Sequence, residues 1–289
     1  MKGSDFRQKV FRFLPDKVAL QVEYLYRFHR LCNFASPKTY TEKIQWLKLY
    51  NRDPKYCTLV DKYEVRGVVK SIIGEDHLIP LVGGPWDSFD EIDFNSLPKQ
   101  FVLKSTHDSG GIVICKDKEQ FDIDKAKKII NDSLKNNYFW QGREWPYKNI
   151  KHKIIAEQYM VDESGVELKD YKFFCFDGKC QFLFIATDRG IDTRFDFFDT
   201  DFNHIDVKNG HENSTKVIHR PERFEEMIEI AEELSRGLPH VRIDLYNING
   251  KIYFGEYTFF HFSGLIPFEP DEWDIKFGEM LVLPDVRKK

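Results

Sequence analysis

Cysteine is scarce and unpatterned. Cys32, Cys57, Cys115, Cys175 and Cys180 form no CxxC pair, and their odd number leaves one over. A disulfide framework or a structural zinc site is therefore not expected. No apolar run reaches bilayer-spanning length, and the first residues lack the apolar core of a secretory signal, so the sequence reads as cytosolic. Charge of one sign is missing as well: 43 Lys and Arg stand against 47 Asp and Glu, a formal net charge of -4. That balance gives no nucleic-acid footprint. There is no G-x-x-x-x-G-K-[ST] loop, internal repeat or low-complexity linker, and nothing in 1–60 resembles the strand–helix series of a dinucleotide-binding domain. What is present is a core: 42% hydrophobic and 15% aromatic residues in a chain of 289, enough for one large domain or two smaller ones.

Residues 5–31 read as helical with a break at Pro15-Asp16, and six of their positions, from Arg7 to Arg30, make the segment basic. It suits either packing on the body with a solvated basic face or contact with an anionic membrane surface. Thr39 or Thr41 is placed to cap a helix carrying Ile44, Trp46, Leu47 and Leu49. A further helix opens at Asp61-Lys62 and stops at Gly74, and L-I-P-L-V-G-G then reads as a short strand and turn. Residues 122–137 form a basic amphipathic helix, Ile154 to Met160 a strand, and Asp177-Gly178 the turn of a hairpin. An acidic helix over 222–237 has Gly237 at its C-terminal end.

Two stretches carry chemistry. In the first, an apolar strand delivers Lys104 to a small, polar, glycine-bearing loop, S-T-H-D-S-G-G, before a second strand from Ile112. A strand-held ammonium beside a flexible loop can lay backbone N–H groups over phosphates, though many ordinary hairpins end in Ser-Gly-Gly. The second stretch is V-R-I-D-L-Y-N-I-N-G-K-I-Y-F-G-E-Y-T, a hairpin by its Asn249-Gly250 dipeptide. Asp244 and Glu256 sit in strands otherwise filled with apolar residues, where an unpaired carboxylate is costly. Either a divalent cation or a Lys or Arg must meet them. Parity sharpens the choice: a two-residue turn puts the acids on opposite faces, whereas a three-residue loop, Ile248 to Gly250, puts them on one. A shared metal thus predicts the odd loop.

Together D-K-Y-E-V-R (61–66), F-V-L-K-S-T-H-D-S-G-G (101–111), I-I-A-E-Q-Y-M (154–160) and D-L-Y-N-I-N-G-K-I-Y-F-G-E (244–256) resemble the ATP-grasp superfamily. P-K-T-Y-T-E-K-I-Q-W-L-K, D-Y-K-F-F-C-F-D-G-K and F-G-E-Y-T-F-F look like its teichuronopeptide-biosynthesis-like (TupA-like) branch, over roughly residues 20 to 284. The resemblance implies an α+β ATP-grasp fold, in which two α+β subdomains grip ATP between antiparallel sheets. The divisions expected are a mainly helical N-terminal extension (1–60), an N-terminal subdomain with a phosphate-binding flap (61–160), and a C-terminal subdomain with a magnesium-binding hairpin (161–289).

It also implies roles. Lys62 and Lys104 would hold nucleotide phosphates, and Ser109, Gly110 and Gly111 would form the flap. Glu157, Gln158, Tyr159 and Met160 would read the adenine and ribose. Lys172 would reach the γ-phosphate, Asp244 and Glu256 would bridge Mg²⁺ to it, and Arg242 and Arg189 would stabilise developing negative charge. The superfamily usually has Asn where Thr258 stands, a weaker oxygen ligand, and usually a full α/β domain ahead of the nucleotide site. The implied activity is ATP-dependent carboxylate–amine ligation in polysaccharide biosynthesis, with a carboxylate-bearing glycan or sugar as acceptor and an amine or amino acid as donor. The alternatives are a kinase acting on a sugar or lipid hydroxyl, or a non-catalytic nucleotide- or glycan-binding subunit.

Overall fold

The computed structural model describes residues 12–162, 165, 168–188 and 192–285. After Pro15, α1 (Asp16–Phe28) turns Ala19, Leu20 and Tyr24 inward. Thr39, not Thr41, caps α2 (Tyr40–Tyr50), in a full capping box. Its hydroxyl accepts the Glu42 N–H at 3.3 Å, and Glu42 accepts the Thr39 N–H at 3.4 Å. Thr41 instead donates to Asp274 at 2.6 Å. α3 (Lys55–Val60) and α4 (Val65–Ile73) follow. The helix expected from Asp61 begins only at Val65, because the Asp61 carboxylate accepts the Tyr63 and Glu64 N–H groups at 2.8 and 3.0 Å and holds a turn before it.

The first sheet is antiparallel, with β1 (Leu81–Trp86), β4 (Ile154–Gln158), β2 (Phe101–Ser105) and β3 (Ile112–Cys115) side by side in that order. α5 (Ile123–Lys135) packs on β2 and β3, its N-terminus capped by Asp122. The strand expected to run to Met160 ends at Gln158, so Tyr159 and Met160 follow it as extended chain. A short helix, α6 (Phe139–Gly142), leads from α5 towards β4.

The second sheet has six strands, β11 (Lys251–Thr258), β10 (His240–Ile248), β5 (Asp170–Phe176), β6 (Lys179–Thr187), β7 (Arg194–Asp199) and β8 (His204–Ile205), again antiparallel. A two-stranded ribbon pairs β9 (Lys208–Asn209) with β12 (Phe268–Glu269). Alternation along the strands sorts the faces. Phe173, Cys175 and Tyr257 meet α7 (Phe224–Ser235) on one side. On the other side, Phe174 and Phe182 pack against Tyr40 of α2 and Phe277 of α8 (Glu272–Met280). Lys172, Arg242 and Asp244 share that second face, of which α2 covers the end near Phe174 and His240.

The hairpin corrects the loop expected above. Ile248 pairs with Lys251, so the turn is the two-residue Asn249-Gly250, with φ of 51° and 78°, as a type I′ turn requires. Parity is restored further along by a bulge: Leu245 pairs with Phe254, but Asp244 pairs with Glu256, leaving Gly255 over. The two carboxylates therefore share a face by a bulge rather than by an odd loop. A Cβ on residue 255 would lie 2.9 Å from the Asp244 carbonyl oxygen, so only glycine lets the strands close there.

Among the described residues three hydrophobic clusters form, a small one of Leu20, Tyr24, Cys32, Phe34 and Leu265 beneath α1 and two that hold the sheets. Of these two, the smaller lies under the first sheet, around Phe101, Leu103, Ile130, Ile154 and Ala156. The larger joins Tyr40, Ile44, Leu47, Val65 and Val69 to Phe173, Phe174, Phe197, Ile243 and Phe277. At about 1.5–3 kcal/mol for each buried large side chain, α2 and α4 are integral to the second sheet and not appended to it.

Candidate functional site

The two sheets face one another across a cleft. Lys62, Lys104, Ser109 and Glu157 line one wall; Asp170, Lys172, Asp244, Tyr246 and Glu256 line the other. Register builds the second wall: Glu256, Asp244 and Lys172 are direct cross-strand neighbours over β11, β10 and β5, and Thr258 and Arg242 form the next row. Asp244 is 1% exposed and stands between two cations. Arg242 grips it through Nε and Nη2, each at 2.7 Å, and Lys172 meets it from the far side. Arg242 Nη2 also reaches Glu256 at 3.2 Å and the Thr258 hydroxyl at 3.0 Å, and that hydroxyl donates to Glu256 at 2.9 Å.

The ion-paired alternative for the two acids is thus realised in the side chains. Burial works against the Arg242 charge, but Asp244 and Glu256 outweigh it and its pKa rises. Burial likewise opposes the charge on Glu256, yet Lys172, Arg242 and Lys62 together hold its pKa down at about 2. For Asp244, burial prevails over Arg242 and Lys172 and lifts the carboxyl above its ordinary value. Among the described residues no group of three or more His, Cys, Asp or Glu is arranged to hold a metal ion.

Arg242 is itself held in place. Its Nη1 lies 2.7 Å from His261 Nδ1, and because guanidinium only donates, that nitrogen accepts. The proton then sits on Nε2, which donates to Asn209 Oδ1 at 2.8 Å. Burial, and then Arg242, push the His261 pKa well down, consistent with a neutral ring.

On the first wall Lys104 pairs with Glu157 at 2.6 Å, and Arg66 approaches the same carboxylate at 3.4 Å while donating to the Ile79 carbonyl at 2.7 Å. Gln158, Tyr159 and Met160 line an adjoining cavity of about 480 Å³ with Ile79 and Val102, and the two spaces share Lys104, Ile112, Glu157 and Tyr246. Lys62 donates to the Asp108 carbonyl; burial pushes its pKa down, against the pull of Glu256 and Asp108.

The Ser109, Gly110, Gly111 loop joins β2 to β3 and is pinned at its base by Asp108. One carboxylate oxygen accepts the Gly111 N–H at 3.0 Å and the other accepts the Ser133 hydroxyl of α5 at 2.6 Å. Of the expected site residues, Arg189 lies outside the described residues, as do residues 5–11 of the basic N-terminal segment; the other expected site residues gather on the two walls, the loop between them or the adjoining cavity.

Sequence reasoning missed several neighbours. Asp108 and Arg66 lay inside the quoted stretches. His261 and Asn209 carried no periodic signal. Lys48 did: with Ile44 and Leu47 it falls at i, i+3 and i+4 on one helix face, so the period places the lysine inside, and it is fully buried.

Comparison with known proteins adds the family. A family profile described as TupA-like ATPgrasp matches residues 42–282. No curated protein sequence matches the chain. Among solved structures it is similar to D-alanine–D-alanine ligase from Helicobacter pylori, at 13% identity over 86% of this chain and 70% of that one, TM-score 0.46. A second likeness is to D-alanine–D-alanine ligase from Bacillus anthracis complexed with ATP, at 15% identity over 78% and 68%, TM-score 0.40. A third is to L-amino acid ligase from Bacillus licheniformis, at 13% identity over 88% of this chain and 57% of that one, TM-score 0.46.

Proposed function

This chain belongs to the TupA-like ATP-grasp family, and from that premise we propose that it is an ATP-dependent carboxylate–amine ligase. The observation that supports it best is the pairing of Asp244 with Glu256 on one sheet face, flanked by Lys172 and Arg242 and set across a cleft from Lys62 and Lys104. Hard carboxylate oxygens beside ammonium groups suit a metal–triphosphate, because Mg²⁺ takes one or two carboxylates and completes its shell with phosphate and water. Asp244 and Glu256 fit that donor set, and Thr258 supports it through its hydrogen bond to Glu256. Bound there, magnesium would screen the phosphate charge.

The remaining roles follow from position. The cavity beside Glu157, Gln158, Tyr159 and Met160 takes the adenine and ribose, Lys62 and Lys104 hold phosphate oxygens, and Ser109 to Gly111 close over them. Lys172 meets the γ-phosphate. Arg242 steadies the charge that develops as a substrate carboxylate takes the phosphoryl group, a role the family resemblance also suggests for Arg189. An amine then opens the acyl phosphate to the amide, releasing phosphate.

The resemblance to the teichuronopeptide-type branch supports a uronic-acid carboxylate on a cell-surface polysaccharide precursor as acceptor, and an amino acid or other amine as donor. We place the protein on the cytoplasmic side, where ATP is. α1 exposes Val18, Val22, Leu25 and Tyr26 beside Lys17, Arg27 and Arg30, a face suited to an anionic membrane carrying lipid-linked acceptors. No helix among the described residues is long and apolar enough to cross a membrane. The test is mass spectrometry of the purified protein with MgATP, uronic acids and a pool of amines. A product lighter by one water than its two reactants, formed with ADP, is expected. A product heavier by a phosphoryl group would make the protein a kinase, and no ADP at all would make it a binding subunit.

A further inference from the structure

On β5 and β10, Lys172, Asp244 and Tyr246 face the cleft, and the residues alternating with them point the other way. Tyr171 pairs with Leu245 of β10 and with Ile185 of β6, so Asn247 and Thr187, each two residues further along, share its face. This is the side on which α7 packs. There Lys169, Tyr171, Thr187, Asn247 and the Asn249-Gly250 turn, together with residues 217–222, line a cavity of about 360 Å³. Small-ligand sites range over about 300–1,000 Å³.

Residues 217–222 form a strap held at both ends. Just before it, Lys216 donates to both carboxylate oxygens of Asp188, next to Thr187, at 2.8 and 2.9 Å. At the far end the Glu222 carbonyl accepts the Asn247 amide at 2.7 Å, and Arg223 donates to the Gly250 carbonyl at 3.0 Å. Asn247 also accepts the Gly250 N–H at 2.9 Å, which ties the strap to the hairpin turn. Between these anchors Ile218 packs on the larger core, while 217–220 make no backbone–backbone hydrogen bond among the described residues. Their amides are left for a ligand or water.

Thr187 is 6% exposed, and its hydroxyl has no hydrogen-bond partner among the described residues. A buried hydroxyl in that state costs free energy unless something completes it. Around it the charged groups are mostly donors: Lys169, His219 and Arg220 stand against the single carboxylate of Glu222. Arg220 pairs with Glu225, whose side chain is 70% exposed, and so open a pair is worth little, so the guanidinium can turn to a ligand. An excess of donors calls for an acceptor-rich anion, while Thr187 and Asn249 both donate and accept, as sugar hydroxyls require. We propose that this cavity binds an anionic monosaccharide, a sugar acid or a sugar phosphate, with Arg220 on the anion and Thr187 on a ring hydroxyl. The sheet separates it from Lys172 and Asp244, so its occupant takes no part in the reaction proposed above. The site stands whether or not the cleft is that of a ligase.

The test uses the full chain without nucleotide, its isoleucine methyl groups labelled with 13C. The resonance missing from Ile218→Val reports the cavity, and the one missing from Ile112→Val reports the cleft. D-glucuronate or glucose 6-phosphate is expected to shift the Ile218 signal saturably and more tightly than glucose, and the better of the two names the anion. An Ile218 signal silent to both, or answering equally to glucose, overturns the proposal, as does a shift at Ile112 alone, which would put the sugar in the cleft. Thr187→Val keeps the shape, and because the hydroxyl bonds to nothing in the fold, the melting temperature should hold or rise. It should nonetheless weaken the anionic sugar about threefold or more, the worth of one hydrogen bond; unchanged affinity would make Thr187 an ordinary buried hydroxyl and overturn the site. Arg220 is exposed, so Arg220→Gln tests the anion without risk to the fold. It should cost about tenfold or more and bring the anionic sugar to the level of glucose, and no loss would overturn the recognition of charge.

Discussion

Asp244→Asn and Glu256→Gln are isosteric and remove one negative charge each, yet they should differ sharply in stability. Two repelling carboxylates alone would make either change harmless or helpful. The side chains predict otherwise, because the nearest charges to Asp244 are cations. Arg242 holds it through two contacts of 2.7 Å, Lys172 meets it too, and Asp244 is 1% exposed. An Asn there turns an N–H₂ group towards a guanidinium or an ammonium and leaves both cations under-compensated. Removing one partner of a buried pair costs about 3–5 kcal/mol. The Glu256 side chain is 40% exposed, touches Arg242 at 3.2 Å, and as Gln keeps an oxygen for Thr258. Lys172, Arg242 and Lys62 favour its charged form, but solvent screens a side chain this exposed, so its loss should cost clearly less than that of Asp244. Urea unfolding at pH 7 with a common slope measures both. Addition of Lys172→Met to Asp244→Asn should recover part of the loss, since it removes one orphaned cation. Equal midpoints for the two single variants would refute the view that Asp244 is the structural counter-ion of this wall.

Other outcomes are expected. Lys104→Met should weaken MgATP binding by about 1.5–3 kcal/mol in calorimetry, the worth of one charge-assisted contact, with the fold intact. Amide exchange at Ser109 and Gly110 should slow when MgATP is added, while Gly111, already bonded to Asp108, should change least; a uniform response would remove the flap. Burial lowers the Lys48 pKa from 10.5 to about 8, so between those values the unfolded chain binds more protons and stability should rise with pH. The gain is up to roughly 3 kcal/mol, and Lys48→Met should abolish it in urea midpoints measured from pH 8 to 10. Val22→Glu/Leu25→Glu should detach the protein from phosphatidylglycerol vesicles in co-sedimentation; retention equal to the parent chain would take α1 off the membrane.

The sequence was most legible where local rules decide. A helix cap at Thr39 or Thr41, hairpins about Asn249-Gly250 and Asp177-Gly178 and the alternation around Asn249-Gly250 all follow from a few adjacent residues, whereas the choice of cap and the length of the Asn249-Gly250 loop do not. Glu256 and Asp244 were legible as a pair, but not the means of pairing them, because a bulge is set by cross-strand sterics at Gly255 and leaves little local pattern. Lys172, Arg242 and Asp244 could be named singly. Their mutual neutralisation depends on the order of β11, β10 and β5, which no spacing reveals. His261 and Asn209 reach Arg242 from two separate segments, so only the folded chain brings them there.

The joining of α2 to the second sheet bears on how the chain is made. Tyr40 meets His240, 200 residues away, and Thr41 meets Asp274, 233 residues away. On a ribosome adding about 5–20 residues per second, α2 therefore waits roughly ten seconds to most of a minute for its partners. During that interval Ile44, Leu47 and the lone cation Lys48 have no interior to enter. The first sheet, whose core draws only on residues 82–156, can close in the meantime, so it is expected to form first. The half that carries Arg242 and Asp244 then assembles last, and in one step, when α8 and the final hairpin emerge. Nascent-chain proteolysis should find the first sheet protected while α2 is still cleaved.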